Sequence, residues 1–176
     1  SDPFLEEAAL AASHLSSQTG FTLDYKKADL LDDQWDQELR EGSFDVAMAF
    51  AVLHHLPGVE TRKRVVRKVA RLLKSRGLFI HSEWQFQNSP KLMARVQNWE
   101  KAGLTELDVE PGDTLLDWRH RHGMPHTETG LRYVHLFSRE ELSRLAEDAR
   151  FEIIEEFASD GASGNLALYQ VWKKMD

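Results

Sequence analysis

The chain of 176 residues contains no cysteine, which excludes disulfide bonds, thiolate metal centres and cysteine nucleophiles. It also lacks any run close to the roughly 20 consecutive apolar residues that a membrane-spanning helix needs. The net charge of −7 argues against binding nucleic acid through a broadly basic surface. A chain without thiols fits a reducing compartment, and we expect a cytoplasmic protein with no membrane contact.

Apolar residues make up 41% of the chain, which is enough for a hydrophobic core, and the length is typical of one domain, residues 1–176. Their spacing alternates between helical and strand patterns. The predicted helices are 3–15, 60–74, 90–102 and 138–149, and the predicted strands are 21–26, 44–51, 77–84, 151–158 and 166–172. We expect Arg76-Gly77 to end the second helix, and Ser138 and Glu141 to form a capping box at the start of the last. Residues 103–131 are polar and rich in Gly, Pro and His, and we expect them to form a long substrate-side excursion.

Two features of this pattern indicate an α/β fold. Residues 44–51 are apolar on both faces apart from Asp45, which is typical of a central parallel strand covered by helices on both sides. A short turn, residues 160–164, separates the last two strands, and so short a connection requires an antiparallel pair. The prediction is a largely parallel sheet that ends in an antiparallel hairpin.

Candidate ligand-binding residues lie where two of the predicted strands end. In an open parallel sheet, ligands bind outside the carboxyl ends of the central strands. Phe50 and Ala51 end one strand, and Asp29 follows another. Phe50 offers an apolar wall, the small alanine allows a ligand close to the backbone, and the carboxylate can accept a hydrogen bond from an amino group. The alternative is structural: a buried strand end, and an aspartate that caps a turn.

Two adjacent histidines, His54 and His55, follow the 44–51 segment. Adjacent side chains point in different directions, so we expect at most one to line the ligand site and one to be structural. Adjacent histidines also do not converge on one metal ion. Three more stand at His120, His122 and His126, without an evident acidic fourth ligand, and we predict no metal site.

The sequence FDVAMAFAVLHHLP at 44–57 and the Ala28-Asp29-Leu30 turn, in this order, resemble a class I S-adenosylmethionine (SAM) methyltransferase over nearly the whole chain. The resemblance implies a Rossmann-like sheet with a C-terminal antiparallel hairpin, SAM as the cofactor and transferase activity. In that fold, two strands and a helix precede the segment that the first residues resemble. We therefore expect an upstream segment or a second chain to complete the sheet.

A narrower resemblance rests on several stretches taken together. They are Ala51–His55, Glu60–Arg64, Ser82–Gln87, Asp113–Trp118 and Arg132–Leu142. Their order and spacing are similar to those of the tRNA methyltransferases that esterify a 5-carboxymethyluridine at the wobble position. The resemblance implies a methyl group transferred to a carboxylate or hydroxyl acceptor, with tRNA as a candidate substrate.

The resemblance also implies roles for individual residues. The catalytic candidates are Arg132, His135 and His54; the cofactor-binding candidates are Phe4, Asp29, Leu30, Phe50, Ala51 and Val52; and the substrate-binding candidates are Trp84, Trp118, Arg119, Tyr133 and Asn165. A carboxylate acceptor is ionised at neutral pH and needs no general base. Arg132 would hold it through paired hydrogen bonds, while His135, Tyr133 and Trp118 hold or stack the base.

Two other functions stay open at this point. The acidic balance of the chain favours a small-molecule substrate over tRNA. A non-catalytic, methyltransferase-like binding module is the alternative from a different class. A nucleotide-dependent oxidoreductase is a weaker alternative, because the predicted terminal hairpin is not part of a plain dinucleotide-binding fold.

Overall fold

The computed structural model describes residues 24–118 and 130–176, together with Leu10 and Thr22. The chain divides into two units, Ser1–Gln37 and Glu38–Asp176. The predicted helix at 3–15, apart from Leu10, lies outside the described residues, as do Phe21, Leu23 and the histidines at 120, 122 and 126. None of the helices in the described part is long and apolar enough to cross a membrane.

In the described part of the first unit, the predicted turn is present and the predicted strand is not. Thr22 and residues 24–29 have no strand pairing, so the strand expected at 21–26 is wrong for its described residues, 22 and 24–26. A strand needs a neighbour for its backbone hydrogen bonds, and the described residues of this unit provide none. The turn follows at Asp29, whose carbonyl oxygen accepts from the Asp32 N–H at 3.0 Å. Its carboxylate also accepts from the Leu31 N–H at 2.9 Å, which makes an Asx turn.

The second unit is built on a four-stranded sheet. Its strands are β1 (Phe44–Phe50), β2 (Leu73–Trp84), β6 (Phe151–Ser159) and β7 (Ala167–Lys174), in the order β1-β2-β7-β6. β1 and β2 are parallel, whereas β7 is antiparallel to both β2 and β6. The predicted α/β class and the predicted terminal antiparallel hairpin are therefore confirmed.

Two helices contact this sheet. α1 (Val59–Leu72) contacts β2, α3 (Arg139–Asp148) contacts β6, and the two helices also contact each other. α3 begins with the predicted capping box: Ser138 Oγ accepts from the Glu141 N–H, and a Glu141 carboxylate oxygen accepts from the Ser138 N–H. Beneath the helices, Phe79, Phe151 and Trp172 form a buried aromatic cluster with ring centroids 5.7–6.0 Å apart.

The face of β1 that points away from the two helices is exposed to solvent, so the prediction that helices cover this strand on both faces is wrong. The side chains of Val46, Met48 and Phe50 are 42%, 68% and 51% exposed. β1 is also an edge strand, because no strand of the described chain pairs with its outer side. The apolar residues of this segment therefore do not all contribute to the core.

A second sheet stands where the sequence analysis expected a helix and a long loop. It consists of β3 (Val96–Gln97), β4 (Asp113–Trp118) and β5 (Gly130–His135), all antiparallel. The helix expected at 90–102 is only α2 (Pro90–Met93), followed by β3 and a 3-10 turn, Trp99–Ala102. Phe86, Leu116 and Val134 form the core of this layer. Pairing between distant segments stabilises these short strands, and local periodicity does not report such pairing.

The first helix of the second unit also ends earlier than its pattern suggests. α1 stops at Leu72, and Leu73 is already extended (φ −73°, ψ 143°) and paired with Phe44. Regular pairing resumes only at Leu78, and the residues between them include Arg76 at φ 62°. The Arg76-Gly77 step is therefore an irregularity inside β2 and does not terminate the helix.

Candidate functional site

The carboxyl ends of the parallel strands β1 and β2 meet at one edge of the sheet, the usual place for a ligand in an α/β fold. At the end of β1, Ala51 adopts a left-handed backbone conformation (φ 54°), which is strained for a residue other than glycine. Its N–H donates to the Ser82 carbonyl oxygen at 3.1 Å. The chain then makes a 3-10 turn, Leu53–His55, preceded by Val52. This turn brings both histidines beside Trp84 at the end of β2.

His54 is the structural member of the histidine pair. It is fully buried, and its ring is nearly parallel to the Trp84 ring at 5.8 Å. Glu83 Oε2 accepts from the His54 backbone N–H at 3.1 Å and lies 2.8 Å from His54 Nδ1. Burial, with smaller contributions from His55 and Arg132, lowers the pKa of His54 to about 3. The ring has no exposed surface in this structure, and the catalytic role predicted for His54 stays a prediction.

His54 belongs to a buried cluster that also contains Glu83 and His81, whose Nδ1 lies 3.0 Å from Glu83 Oε1. Burial raises the pKa of Glu83 well above its ordinary value and lowers that of His81 to about 3. The geometry agrees, because the Trp84 N–H donates to His54 Nδ1 at 3.3 Å. If that nitrogen accepts from Trp84, the 2.8 Å contact needs a proton on Glu83 Oε2. The directions of these shifts all favour uncharged groups in the cluster.

Trp84, His55 and Arg132 form the partly open layer above this cluster. The Arg132 guanidinium lies 5.9 Å from the centroid of the Trp84 ring, at cation–π distance. The His55 ring meets the same indole edge-on at 6.4 Å. All three side chains are half-buried. Burial lowers the pKa of Arg132, and the nearby Arg95 lowers it further. The predicted residues Arg132 and Trp84 are thus brought together, and they are joined by His55.

Two other predicted residues, Tyr133 and His135, lie in an internal network. Asp113 Oδ1 accepts from the Tyr133 hydroxyl at 2.6 Å and lies 2.7 Å from His135 Nδ1. His135 is fully buried, and its Nε2 lies 3.2 Å from Glu141 Oε1. Hydrogen bonds from Tyr133, the Glu110 N–H and His135 outweigh desolvation and lower the pKa of Asp113. These side chains link β4 and β5, and the roles predicted for Tyr133 and His135 stay predictions.

The same network contains a group of possible metal ligands. One side-chain ligand atom from each of Glu110, Asp113 and His135 lies within 4.8 Å of the others. Glu110, however, already accepts from Arg62 at 2.6 Å and from the Val59 N–H at 2.9 Å. Asp113 and both ring nitrogens of His135 are bonded as described above. A metal ion would have to displace these protein contacts, so the group is better described as a hydrogen-bonded link between α1 and the second sheet.

The remaining predicted residues are dispersed. Asn165 lines a cavity of about 570 Å³ with Gln85, Asn88 and Ser138, and its carbonyl oxygen accepts from Asn88 Nδ2 at 2.8 Å. Trp118 ends β4, opposite Gly130. Asp29 and Leu30 belong to the first unit, while Phe50, Ala51 and Val52 belong to the second. Phe4 and Arg119 lie outside the described residues. The roles predicted for these residues stay predictions.

Sequence reasoning missed Glu83, His81 and the network around Asp113. A signal for the first two was present, since Phe79, His81 and Glu83 alternate along β2 and must share one face of the sheet. Polar residues on the same face as a buried phenylalanine indicate an internal hydrogen-bonded cluster. The Asp113 network had no such signal, because its members come from distant parts of the chain.

A family model described as a methyltransferase domain matches residues 1–79. A protein of Encephalitozoon cuniculi (strain GB-M1) that is named as a methyltransferase is 29% identical over 114 residues, which are 64% of this chain and 47% of that protein. The chain thus spans about half the length of this curated relative. Both similarities are to methyltransferases.

Solved structures show the same fold. A SAM-dependent methyltransferase of Methanosarcina mazei is 20% identical, with a TM-score of 0.59 over 88% of this chain and 68% of that chain. The 1,6-didemethyltoxoflavin-N1-methyltransferase of Burkholderia thailandensis, solved with 1,6-didemethyltoxoflavin and S-adenosylhomocysteine, is 16% identical, with a TM-score of 0.57 over 93% of this chain and 56% of that chain. The chain therefore shares its fold with these methyltransferases.

Proposed function

We propose that this chain acts as a SAM-dependent methyltransferase domain and binds its cofactor at the carboxyl ends of β1 and β2. The observation that carries the proposal is the left-handed turn at Ala51, which ends the parallel strand pair and leads into the His54, His55, Trp84 and Arg132 cluster. Strained backbone at the carboxyl edge of a parallel sheet is typical of ligand sites.

The residues at this edge fit SAM. Phe50 presents a half-exposed aromatic ring, and the small side chain of Ala51 leaves the backbone accessible. Asp29 belongs to the first unit, and its cofactor-binding role stays a prediction from the sequence; its Oδ1 accepts in the Asx turn, and a carboxylate with two oxygens can accept further hydrogen bonds. When bound, SAM supplies an electrophilic methyl group. The chain's own residues would hold the cofactor and orient the acceptor.

The acceptor site is best explained by an acidic, planar substrate. Arg132, which lies 5.9 Å from the Trp84 ring centroid, supplies a cation for an acid group, and the half-buried indole beside it supplies an apolar contact, so an aromatic or heteroaromatic acid would satisfy both. A carboxylate or hydroxyl acceptor on a modified tRNA base and a small aromatic acid are the two candidates. No matched protein described above is named for tRNA, and the tRNA proposal rests on residue resemblance alone.

Calorimetric titration of the chain with SAM and with S-adenosylhomocysteine tests the cofactor site. We expect Phe50→Ala to weaken binding about tenfold, because an aromatic wall contributes roughly 1–2 kcal/mol. Met48→Ala, two residues earlier on the same open face, is the matched control and should bind normally. Absence of binding by the unmodified chain, or an equal loss in both variants, would contradict the proposed site.

Methyl transfer to bulk tRNA and to small aromatic acids tests the substrate. Arg132→Lys keeps the positive charge but loses the planar fork that matches a carboxylate, so turnover should fall while cofactor affinity is unchanged. Unaltered turnover in this variant would remove Arg132 from the substrate site. Cofactor binding without any transfer would favour the binding-module alternative.

A further inference from the structure

His55 differs from its neighbour in one respect that bears on catalysis. Its Nδ1 lies 3.0 Å from the carbonyl oxygen of Tyr133 on β5. A carbonyl oxygen can only accept, so Nδ1 must carry the ring proton. The lone pair of a neutral His55 therefore resides on Nε2. The backbone of β5 selects this tautomer, as hydrogen bonds to one ring nitrogen commonly do.

The surroundings keep His55 uncharged. Burial lowers its pKa, and the positive charge of Arg132 lowers it further, while the hydrogen bond to Tyr133 opposes the shift. The ring also meets His54 edge-on at 4.4 Å, and burial lowers the pKa of His54 as well. The groups facing His55 are thus a neutral imidazole, a guanidinium and a carbonyl. At neutral pH, Nε2 is a base.

Access separates the two histidines. His54 Nε2 is buried and has no hydrogen-bond partner. His55 is half-buried, and its Nε2 is not a buried, unpartnered nitrogen of this kind among the described residues. His55 stands beside Trp84 and Arg132 at the carboxyl edge of the sheet, where the proposed acceptor would lie. His55 therefore occupies the substrate side of the pair.

We infer that His55 Nε2 accepts the proton of the acceptor group, and that the acceptor is a hydroxyl on a planar aromatic acid whose carboxylate is held by Arg132. The inference rests on the proposed methyltransferase function. The hydroxyl proton moves to His55 Nε2, the oxygen forms its bond to the methyl carbon, and the electron pair of the broken carbon–sulfur bond stays on sulfur. The proton then leaves the imidazolium for solvent, which restores the neutral base.

A base in this position distinguishes the possible acceptors. A carboxylate is already ionised at neutral pH and gains nothing from a neighbouring lone pair. A phenolic hydroxyl, with a pKa near that of tyrosine (about 10), remains protonated and benefits from a general base. The structure therefore assigns separate tasks to the two cluster residues: Arg132 binds the acid and His55 activates the hydroxyl.

Nitrogen NMR of the histidine rings in the full chain tests the base directly, without turnover. We expect the free protein to show His55 as the Nδ1–H tautomer, assigned by comparison with His55→Gln. In the presence of S-adenosylhomocysteine, 4-hydroxybenzoate should shift the His55 Nε2 resonance, whereas 4-methoxybenzoate should perturb only the Trp84 indole. An Nε2–H tautomer, equal shifts from both acids, or binding of neither acid would overturn the inference.

Product analysis gives a second measurement. With SAM and 4-hydroxybenzoate, mass spectrometry should find the methyl ether, and a methyl ester would overturn the assignment. We expect His55→Gln to lower the rate about 10²–10⁴-fold, the usual contribution of a general base, while its affinity for S-adenosylhomocysteine is unchanged. An unchanged rate would also overturn it. Failure of the proposed function is distinguishable, because it would abolish binding of S-adenosylhomocysteine and leave the His55 tautomer as described.

Discussion

In the four-stranded sheet, one face is buried although it carries several polar residues, and the other is exposed along β1 although its residues there are apolar. The face beneath α1 and α3 is buried, yet four of its positions are polar or partly polar: His81, Glu83, Gln170 and Trp172. The opposite face is apolar along β1 and exposed. Burial here follows the side on which the helices lie and does not follow the hydrophobicity of the strand. Hydrophobic residues are also common on protein surfaces, so an exposed strand face is informative only together with its neighbours.

The buried polar residues are tolerated because they bond to one another. The Trp172 indole N–H donates to Gln170 Oε1 at 2.8 Å, and Gln170 Nε2 donates to Glu156 Oε2 at 2.6 Å. Glu83 bonds to both neighbouring histidines. A buried polar group is costly mainly when it lacks a partner. The covered face therefore combines a packed aromatic core with a hydrogen-bonded polar cluster, and variants can separate the two contributions.

The largest expected change in the free energy of unfolding comes from comparing one side chain on the buried face of the sheet with one on the exposed face. Phe79 is 1% exposed within the aromatic cluster, and Phe79→Ala should lower the free energy of unfolding by about 3–5 kcal/mol. Met48 is 68% exposed on the open face, and Met48→Ala should change it by about 0.5 kcal/mol. Urea unfolding of both variants measures the difference. Similar losses would mean that the open face is covered in solution.

The next effect concerns the polar cluster. Glu83→Ala leaves two histidine nitrogens and the His54 backbone N–H without their carboxyl partner, and we expect a loss of about 3 kcal/mol in the free energy of unfolding. Glu83→Gln is the matched control. Its amide has one donor end and one acceptor end, like a protonated carboxyl, so its loss should be about 1 kcal/mol or less. An equally large loss for Glu83→Gln would indicate that Glu83 is ionised in the native protein.

Much of this fold could be predicted from local pattern. The capping box at Ser138 located α3, and the short turn at 160–164 required the antiparallel pairing of β6 and β7. Both depend on interactions between residues near each other in sequence. The second sheet could not be predicted in this way, because β4 and β5 are stabilised by pairing across an intervening segment. The exposure of β1 also depends on which neighbours are present, and a single strand does not encode that.

The candidate site was predictable only in part. Arg132, Trp84 and the adjacent histidines were identified, and the structure places them together. The sequence could state that at most one histidine faces a ligand and one is structural, but the choice depended on the distant carbonyl of Tyr133 and the carboxyl of Glu83. Which nitrogen carries a proton is determined by such tertiary contacts, and periodicity contains no information about them.

The smallest expected effect is the pH dependence that the buried imidazoles give to the covered face. His81 has a native pKa of about 3 against 6.5 when unfolded, so between these values the unfolded state binds a proton that the native state does not. The contribution of His81 to stability therefore rises with pH across this window, by about 1.4 kcal/mol per pH unit for one proton. His81→Asn keeps a donor near the Nδ1 position and removes the titration, so its slope between pH 4 and 6, measured by urea unfolding, should be smaller by about that amount. Parallel slopes for the variant and the unmodified protein would show that His81 is charged or open to solvent in the native state. The face beneath the helices would then not be buried at His81, and the difference between the two faces of the sheet would not hold there.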